Sequence, residues 1–241
     1  MKRFLDIAIS LFGLLLLSPL LIVVMLLIWL QDFHSPFYIA PRVGKNGRIF
    51  NMVKFRSMVV NADKTGVDST SSNDSRITPI GNFVRKFKLD EFTQLWNVLK
   101  GDMSLVGPRP NVKREIDLYT QIEKGLLIVR PGITDFASIV FSDENDILKD
   151  SNDPDIDYNQ LIRPWKSSLG LFYVQHQSFL LDCLLVMVTV VAIVSRDNAL
   201  GVISKLLIYL KAPVDLIGVS KRKDKLVPTC PPGADCIVTS R

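Results

Sequence analysis

Cysteine and histidine are scarce in this chain of 241 residues, with three of the first and two of the second. Three thiols do not make a disulfide framework. Cys230 and Cys236 sit in a Pro-Gly stretch without the further ligands of a zinc site, and Cys183 lies in an apolar run, so all three read as reduced thiols on the cytoplasmic side. His34 and His176 are isolated, and neither is a candidate general base. There is no phosphate loop of the P-loop kind and no dinucleotide fingerprint, which removes the usual reasons to expect ATP or NAD. Recognition-helix, zinc-finger and base-stacking patterns are missing as well, so nucleic acid is not an expected partner despite a net charge of +5. The excess cations suit an anionic lipid surface or a phosphorylated substrate.

Apolar residues are plentiful. The chain is 48% hydrophobic and 22% charged, with a mean hydropathy of +0.25. That composition fits one domain plus membrane elements. Residues Ile7 to Leu30 carry no charge, and as straight helix they reach roughly 36 Å, enough for a bilayer core of roughly 30 Å. Two features argue against a simple span. Ser18-Pro19 falls in the middle, where proline removes a backbone donor and predicts a kink. Both flanks are basic, with Lys2 and Arg3 before and Arg42, Lys45, Arg48, Lys54 and Arg56 after, against the one-sided pattern of a span. A helix bent at Ser18-Pro19 that enters and leaves by one face satisfies both facts, and a kinked ordinary span is an equal reading of these residues. Asp6 is expected at the interface, paired with Lys2 or Arg3.

The rest divides by pattern. Asp32 to Met58 reads as a β hairpin turning at Asn46-Gly47 and ending in the basic run Lys54-Phe55-Arg56-Ser57-Met58, which suits headgroups or a substrate phosphate equally. Asn61 to Ser75 is polar, a loop near a site or a plain linker. Val112 to Leu127 suits an amphipathic helix. Ser142 to Asp157 lacks the glycine and terminal glutamate of a calcium loop and reads as a solvated acidic surface. Phe179 to Val194 is short for a span and suits a buried or interfacial helix. Ser220 to Arg241 looks like a flexible basic tail.

Asn82 to Pro110 carries the chemistry. Leu89, Phe92, Leu95, Trp96 and Leu99 recur at helical spacing, with Asp90, Gln94 and Asn97 as a polar line beside them. Glu91 lies about 100° round the helix from Asp90. Arg85, Lys86 and Lys88 precede the two acids, and Pro108-Arg109-Pro110 holds an arginine between residues of fixed φ. A phosphate near this helix start would meet the dipole and the guanidinium groups. Taken alone, an Asp-Glu pair at a helix start more commonly just offsets the dipole.

Asp90-Glu91, Gln94-Leu95 and the run from Asn97 through Gly101 and Gly107 to Pro110 resemble the signature of the monotopic phosphoglycosyl transferases, the bacterial sugar transferase family. Lys54 to Met58, Arg76 to Gly81 and Val129 to Thr134 resemble further motifs of that family, and the likeness extends over roughly the first 200 residues. The resemblance implies an α/β fold, mostly α. Residues 1–32 would form a re-entrant membrane helix broken at Ser18-Pro19, 33–200 an interfacial catalytic domain on the cytoplasmic face of a bacterial inner membrane, and 201–241 an extension. It also implies transfer of a sugar-1-phosphate from a UDP-sugar to polyprenyl (undecaprenyl) phosphate with release of UMP. Asp90 would be the nucleophile and Mg²⁺ ligand, and Glu91 its partner. Arg85, Arg109, Lys54, Arg56 and Arg130 would bind substrate phosphates, with Gln94 in support. The chain departs from the family pattern at Asp135, where Gly is common, at Thr93, where Pro is usual, and at Lys88, where a small hydroxyl residue often caps the helix. Two readings of other classes stand beside it: a membrane scaffold or transporter subunit, and a peripheral protein that binds anionic lipid.

Overall fold

The computed structural model describes residues 1–62 and 74–239. The polar loop expected over Asn61 to Ser75 therefore falls, for 63–73, outside the described residues. The described chain is mostly helical with two small sheets, in keeping with an α/β, mostly α class.

Helix α1 (Lys2–Asp32) is the one described helix long and apolar enough to cross a membrane. The break expected at Ser18-Pro19 is not an interruption, since the helix runs through Pro19. The Ser18 hydroxyl donates to the Leu15 carbonyl at 2.8 Å. That is the carbonyl left without its usual amide donor, because proline has none.

Both ends of α1 are tied to the same folded body. At the start, Lys2 Nζ donates to Asp182 at 2.8 Å and to the Val106 carbonyl at 2.9 Å, and Arg3 donates to the carbonyls of Val98 and Leu99. Asp6 is not an interfacial partner of these bases. It is buried and accepts from Ser104 Oγ at 3.0 Å and Leu105 N at 2.9 Å, because two donors on the neighbouring strand satisfy it there. Toward the other end, Val24 and Ile28 pack with Phe55, Val84 and Leu89. Full burial of such a side chain contributes about 1.5–3 kcal/mol, and the ion pair of Asp32 with the buried Arg56 ties the same end. The outer side of the helix, including Leu11, Phe12, Leu15, Leu16 and Val23, stays exposed.

Strands β1 (Phe37–Val43) and β2 (Ile49–Phe55) pair antiparallel, from Phe37 opposite Phe55 to Val43 opposite Ile49. The turn falls at Asn46-Gly47 as expected, with φ of 56° and 76° there. Helix α2 (Pro79–Lys86) is capped by Thr78, whose Oγ1 accepts from Gly81 N at 2.9 Å. Then come the single turn α3 (Leu89–Phe92) and α4 (Leu95–Lys100). The stripe expected to be continuous is split between these two pieces. Tighter bonds from Gln94 N to the Glu91 carbonyl and from Trp96 N to the Thr93 carbonyl, both 3.1 Å, separate the two pieces. Leu95, Val98, Gln94 and Asn97 consequently face inward, and Trp96 is 54% exposed.

Strand β3 (Ser104–Val106) pairs in parallel with β4 (Gly132–Thr134), which joins two of the motif segments. The strands cross so closely that a Cβ on Gly132 would stand 2.1 Å from Gly107 N. Between them, the helix expected over Val112 to Leu127 is only α5 (Lys113–Asp117) followed by a 3₁₀ turn at Glu123–Ile128. Thr120 and Glu123 cap each other's backbone N–H at 3.0 and 3.1 Å, and so restart the chain in a new direction.

Helices α6 (Phe136–Val140), α7 (Glu144–Ile147), α8 (Pro154–Asp157), α9 (Arg163–His176), α10 (Phe179–Val194), α11 (Arg196–Tyr209) and α12 (Val214–Ser220) complete the fold. α10 buries Leu181, Leu185 and Val188 and exposes Leu180, Met187 and Val194, so one side packs on the body and the other stays open. Phe136, Leu169, Tyr173, Leu185, Ile203, Leu207 and Leu216 belong to one core. A boundary at residue 200 therefore cuts through α11, and the segment beyond it is part of the packed body. The stretch after Ser220 lies along that body instead of standing off as a flexible tail. Thr229 N donates to the Gln160 carbonyl at 3.0 Å, and Gln160 Nε2 to the Val238 carbonyl at 2.7 Å.

Candidate active site

The two acids stand on α3, a single turn whose dipole is too short to draw in a phosphate unaided. Lys88, immediately before it, has φ of 54°, a left-handed conformation that costs a lysine about 1–2 kcal/mol and turns the chain from α2 into α3. Side chains supply the positive charge. Lys54 Nζ, on β2, lies 3.7 Å from Asp90 Oδ2. Arg109, from the loop after β3, donates to Glu91 Oε1 at 3.0 Å. Among the described residues nothing donates a hydrogen bond to the Asp90 carboxylate, so its oxygens are not committed. Burial pushes the Lys54 ammonium down to about 8, helped by Arg109 and opposed by Asp90 and Glu91. Burial works to raise the Glu91 carboxyl, but Arg109, Lys88 and Lys54 hold it below the usual carboxylate range. Glu91 in turn raises Arg109.

Arg85, on α2, feels Asp90 electrostatically, and its Nη1 is buried without a partner among the described residues. Gln94 is 1% exposed, and its Nε2 is likewise buried and unpartnered. An arginine donor that lacks an acceptor and feels Asp90 suits an anion with several oxygens.

The structure does not bring every expected phosphate ligand to the acids. Arg56 is engaged by both oxygens of Asp32, at 2.5 and 2.6 Å, and by the Ser35 carbonyl at 2.8 Å. Its partner is thereby lowered to about 2, chiefly by that hydrogen bonding. Arg130 is exposed and donates to the Gly101 carbonyl at 2.9 Å, at the far end of α4. Asp135 caps α6, accepting from Ser138 N and Oγ at 2.7 Å, with an extended backbone open to any residue.

The acidic segment from Ser142 to Asp157 is not simply a solvated surface. Phe141 and Leu148, 2% and 0% exposed, anchor it to the core. Asp143 pairs with Arg196 and Arg222, and Glu144 pairs with Lys166. Glu144 also acts electrostatically on Arg85 and Arg109, so it belongs to the surroundings of the acids. The signal for it in the sequence is the apolar bracket Phe141, Ile147, Leu148 around the charges.

Known proteins match this chain along most of its length. The family model described as bacterial sugar transferase matches residues 1–196. The exopolysaccharide production protein ExoY of Sinorhizobium fredii is 34% identical over 207 residues, 80% of this chain and 84% of that protein. A UDP-N-acetylgalactosamine-undecaprenyl-phosphate N-acetylgalactosaminephosphotransferase of Aeromonas hydrophila is 34% identical over 201 residues, 82% of this chain and 44% of its own. An undecaprenyl-phosphate galactose phosphotransferase of Salmonella typhimurium is 34% identical over 217 residues, 83% of this chain and 41% of its own. The chain thus spans most of the first relative and under half of the other two.

Proposed function

The chain belongs to the bacterial sugar transferase family, and from that premise we propose that it moves a sugar-1-phosphate from a UDP-sugar to undecaprenyl phosphate and releases UMP. The observation that carries the reading is the Asp90 carboxylate, free of hydrogen bonds among the described residues and 3.7 Å from the Lys54 ammonium. A scaffold or a lipid-binding surface has no use for an uncommitted carboxylate among cations, and a nucleophile does.

In the first step an Asp90 oxygen attacks the phosphorus that bears the sugar. An O–P bond forms to Asp90, the bond from that phosphorus to the bridging oxygen breaks, and UMP leaves with the electron pair. In the second step an oxygen of the lipid phosphate attacks the same phosphorus, the Asp90–phosphorus bond breaks, and the carboxylate is regenerated. No proton need move in either step. Lys54, Arg109 and the unpartnered Nη1 of Arg85 face the charge that spreads over the phosphoryl oxygens. Glu91 holds Arg109 in place through their 3.0 Å bond.

The donor set also suits Mg²⁺. Among the described residues no three His, Cys, Asp or Glu side chains gather as a ready-made cage. Mg²⁺ commonly takes one or two protein carboxylates and completes its shell with substrate phosphates and water. Asp90 would hold it, and when bound it supplies charge neutralisation at the diphosphate.

The apolar α1 and the family to which the chain belongs point to a membrane protein. We place it at the cytoplasmic face of the inner membrane, with α1 re-entrant. Support comes from its two ends, where Lys2 and Asp32 are both bonded to the one folded body. A charged soluble donor and an apolar acceptor can meet only at such a surface.

The test is UMP release by purified protein in nanodiscs with undecaprenyl phosphate, Mg²⁺ and, in turn, UDP-galactose, UDP-N-acetylgalactosamine, UDP-glucose and UDP-N-acetylglucosamine. Release with at least one donor supports the reading. Silence from folded protein with all of them counts against it.

A further inference from the structure

Lys54 and Asp90 come from segments far apart in the chain, and their 3.7 Å separation needs something to set it. Long lysine stems have many rotamers, so the backbone carrying Lys54 must be fixed if its ammonium is to stay beside one carboxylate. Besides apolar contacts such as Phe55 with Leu89, β2 meets the α3–α4 unit through two polar side chains, and both hold the backbone of Val53, next to Lys54.

The first is Thr93, 7% exposed in the joint between α3 and α4. Its hydroxyl lies 2.8 Å from the Asp90 carbonyl and 3.0 Å from the Val53 carbonyl. One O–H is thus shared between the Asp90–Glu91 peptide and the Val53–Lys54 peptide. The second is Asn97, 0% exposed. Its Oδ1 accepts from Val53 N at 2.9 Å, and its Nδ2 donates to the Asn51 carbonyl at 2.8 Å. Both backbone groups of Val53 are therefore held by the unit that carries the acids.

We propose that Thr93 is a positioning residue, which with Asn97 clamps β2 so that the Lys54 ammonium is delivered to the Asp90 carboxylate. This rests on the phosphoglycosyl transfer reading above. Neither residue reaches the reacting atoms, and each acts through the peptide on the amino side of Lys54. Without the Thr93 hydroxyl the Val53 carbonyl loses its bond to the unit that carries the acids.

Thr93 is the better probe, because Asn97 is wholly enclosed and also donates to Asp102 at 3.3 Å. Thr93→Val keeps the branched shape and removes the hydroxyl, whereas Thr93→Ser keeps the hydroxyl. With the donor that the wild type uses, Thr93→Val is expected to lower kcat for UMP release about 10-fold, the scale of a sub-ångström misplacement at a reacting centre, with donor KM little changed. Thr93→Ser is expected to stay within about 2-fold of the wild type, since it keeps the shared O–H. The decisive comparison is a double-mutant cycle with Lys54→Met. If Thr93 acts through Lys54, Thr93→Val in the Lys54→Met background costs nothing further. A merely structural threonine would show the same fractional loss in both backgrounds. That result, or a Thr93→Val protein as active as the wild type, overturns the proposal. Should Thr93→Val fail to fold by its thermal melt, Thr93→Ala takes its place in the cycle. A wild type that releases no UMP from any donor sinks the transfer reading itself, and the clamp proposal with it.

Discussion

Two Arg–Glu pairs in this molecule have the same chemistry and opposite surroundings. Arg163 and Glu123 are 3% and 0% exposed, and their bonds close on one another. Glu123 accepts from Arg163 at 2.6 and 3.1 Å, from Ser167 at 2.7 Å and from Thr120 N at 3.0 Å. The arginine's other N–H groups meet Asn159 and the Leu118 carbonyl at 3.0 and 2.7 Å. Arg109 and Glu91, at 34% and 22% exposure, share one bond of 3.0 Å. A buried pair with every group satisfied leaves nothing for a ligand and fixes the path of the chain. A half-satisfied pair beside an uncommitted carboxylate keeps donor capacity for something that arrives later. Saturation and burial together separate the structural pair from the pair beside Asp90.

That contrast can be broken from either side. Glu123→Ala leaves the Arg163 guanidinium buried without its counter-charge, and should cost about 3–5 kcal/mol of stability in denaturant titration. Arg109→Ala should do the reverse. Its effect on the melt should match that of a surface pair, about 0–1 kcal/mol, while UMP release falls about 10²-fold, as when one donor to a developing charge is removed. Equal destabilisation by the two changes would erase the distinction.

A third prediction concerns pH. The Lys54 ammonium loses its proton at about 8, so turnover that needs its charge should decline as pH rises through that value. Lys54→Arg retains charge at all these pH values and should remove the decline. Persistence of the decline in that variant would assign it to another group. The smallest effect is expected at Asp32, outside the site. Its carboxyl is lowered from 3.8 to about 2 by Arg56. The stabilisation is therefore fully present above the ordinary value and is lost as pH falls through about 2. Asp32→Asn should lower the neutral-pH melt slightly, leave UMP release unchanged, and differ less from the wild type in acid.

Much of the site could be read from the chain alone. The run from Asp90 to Pro110 names both acids and Arg109, and Asn46-Gly47 announces the hairpin that delivers Lys54. What could not be read depends on tertiary placement. Arg56 sits two residues from Lys54 in the same basic run, but it lies just past the end of β2, against a partner, Asp32, that only the end of α1 brings near. Glu144 looks like one acid among seven until Phe141 and Leu148 turn the segment inward. The Thr120–Glu123 capping box splits the region after Pro110, and apolar residues on either side of it mimic one helix.

The decisive measurement is intact-protein mass spectrometry after mixing the protein with a UDP-sugar from which it releases UMP, Mg²⁺ and no lipid acceptor. The expected result is a mass increase of one phosphosugar, mapped by peptide analysis to Asp90, absent from Asp90→Asn and discharged when undecaprenyl phosphate is added. UMP release in the presence of acceptor with no adduct at any time, or an adduct on a residue other than Asp90, would contradict it.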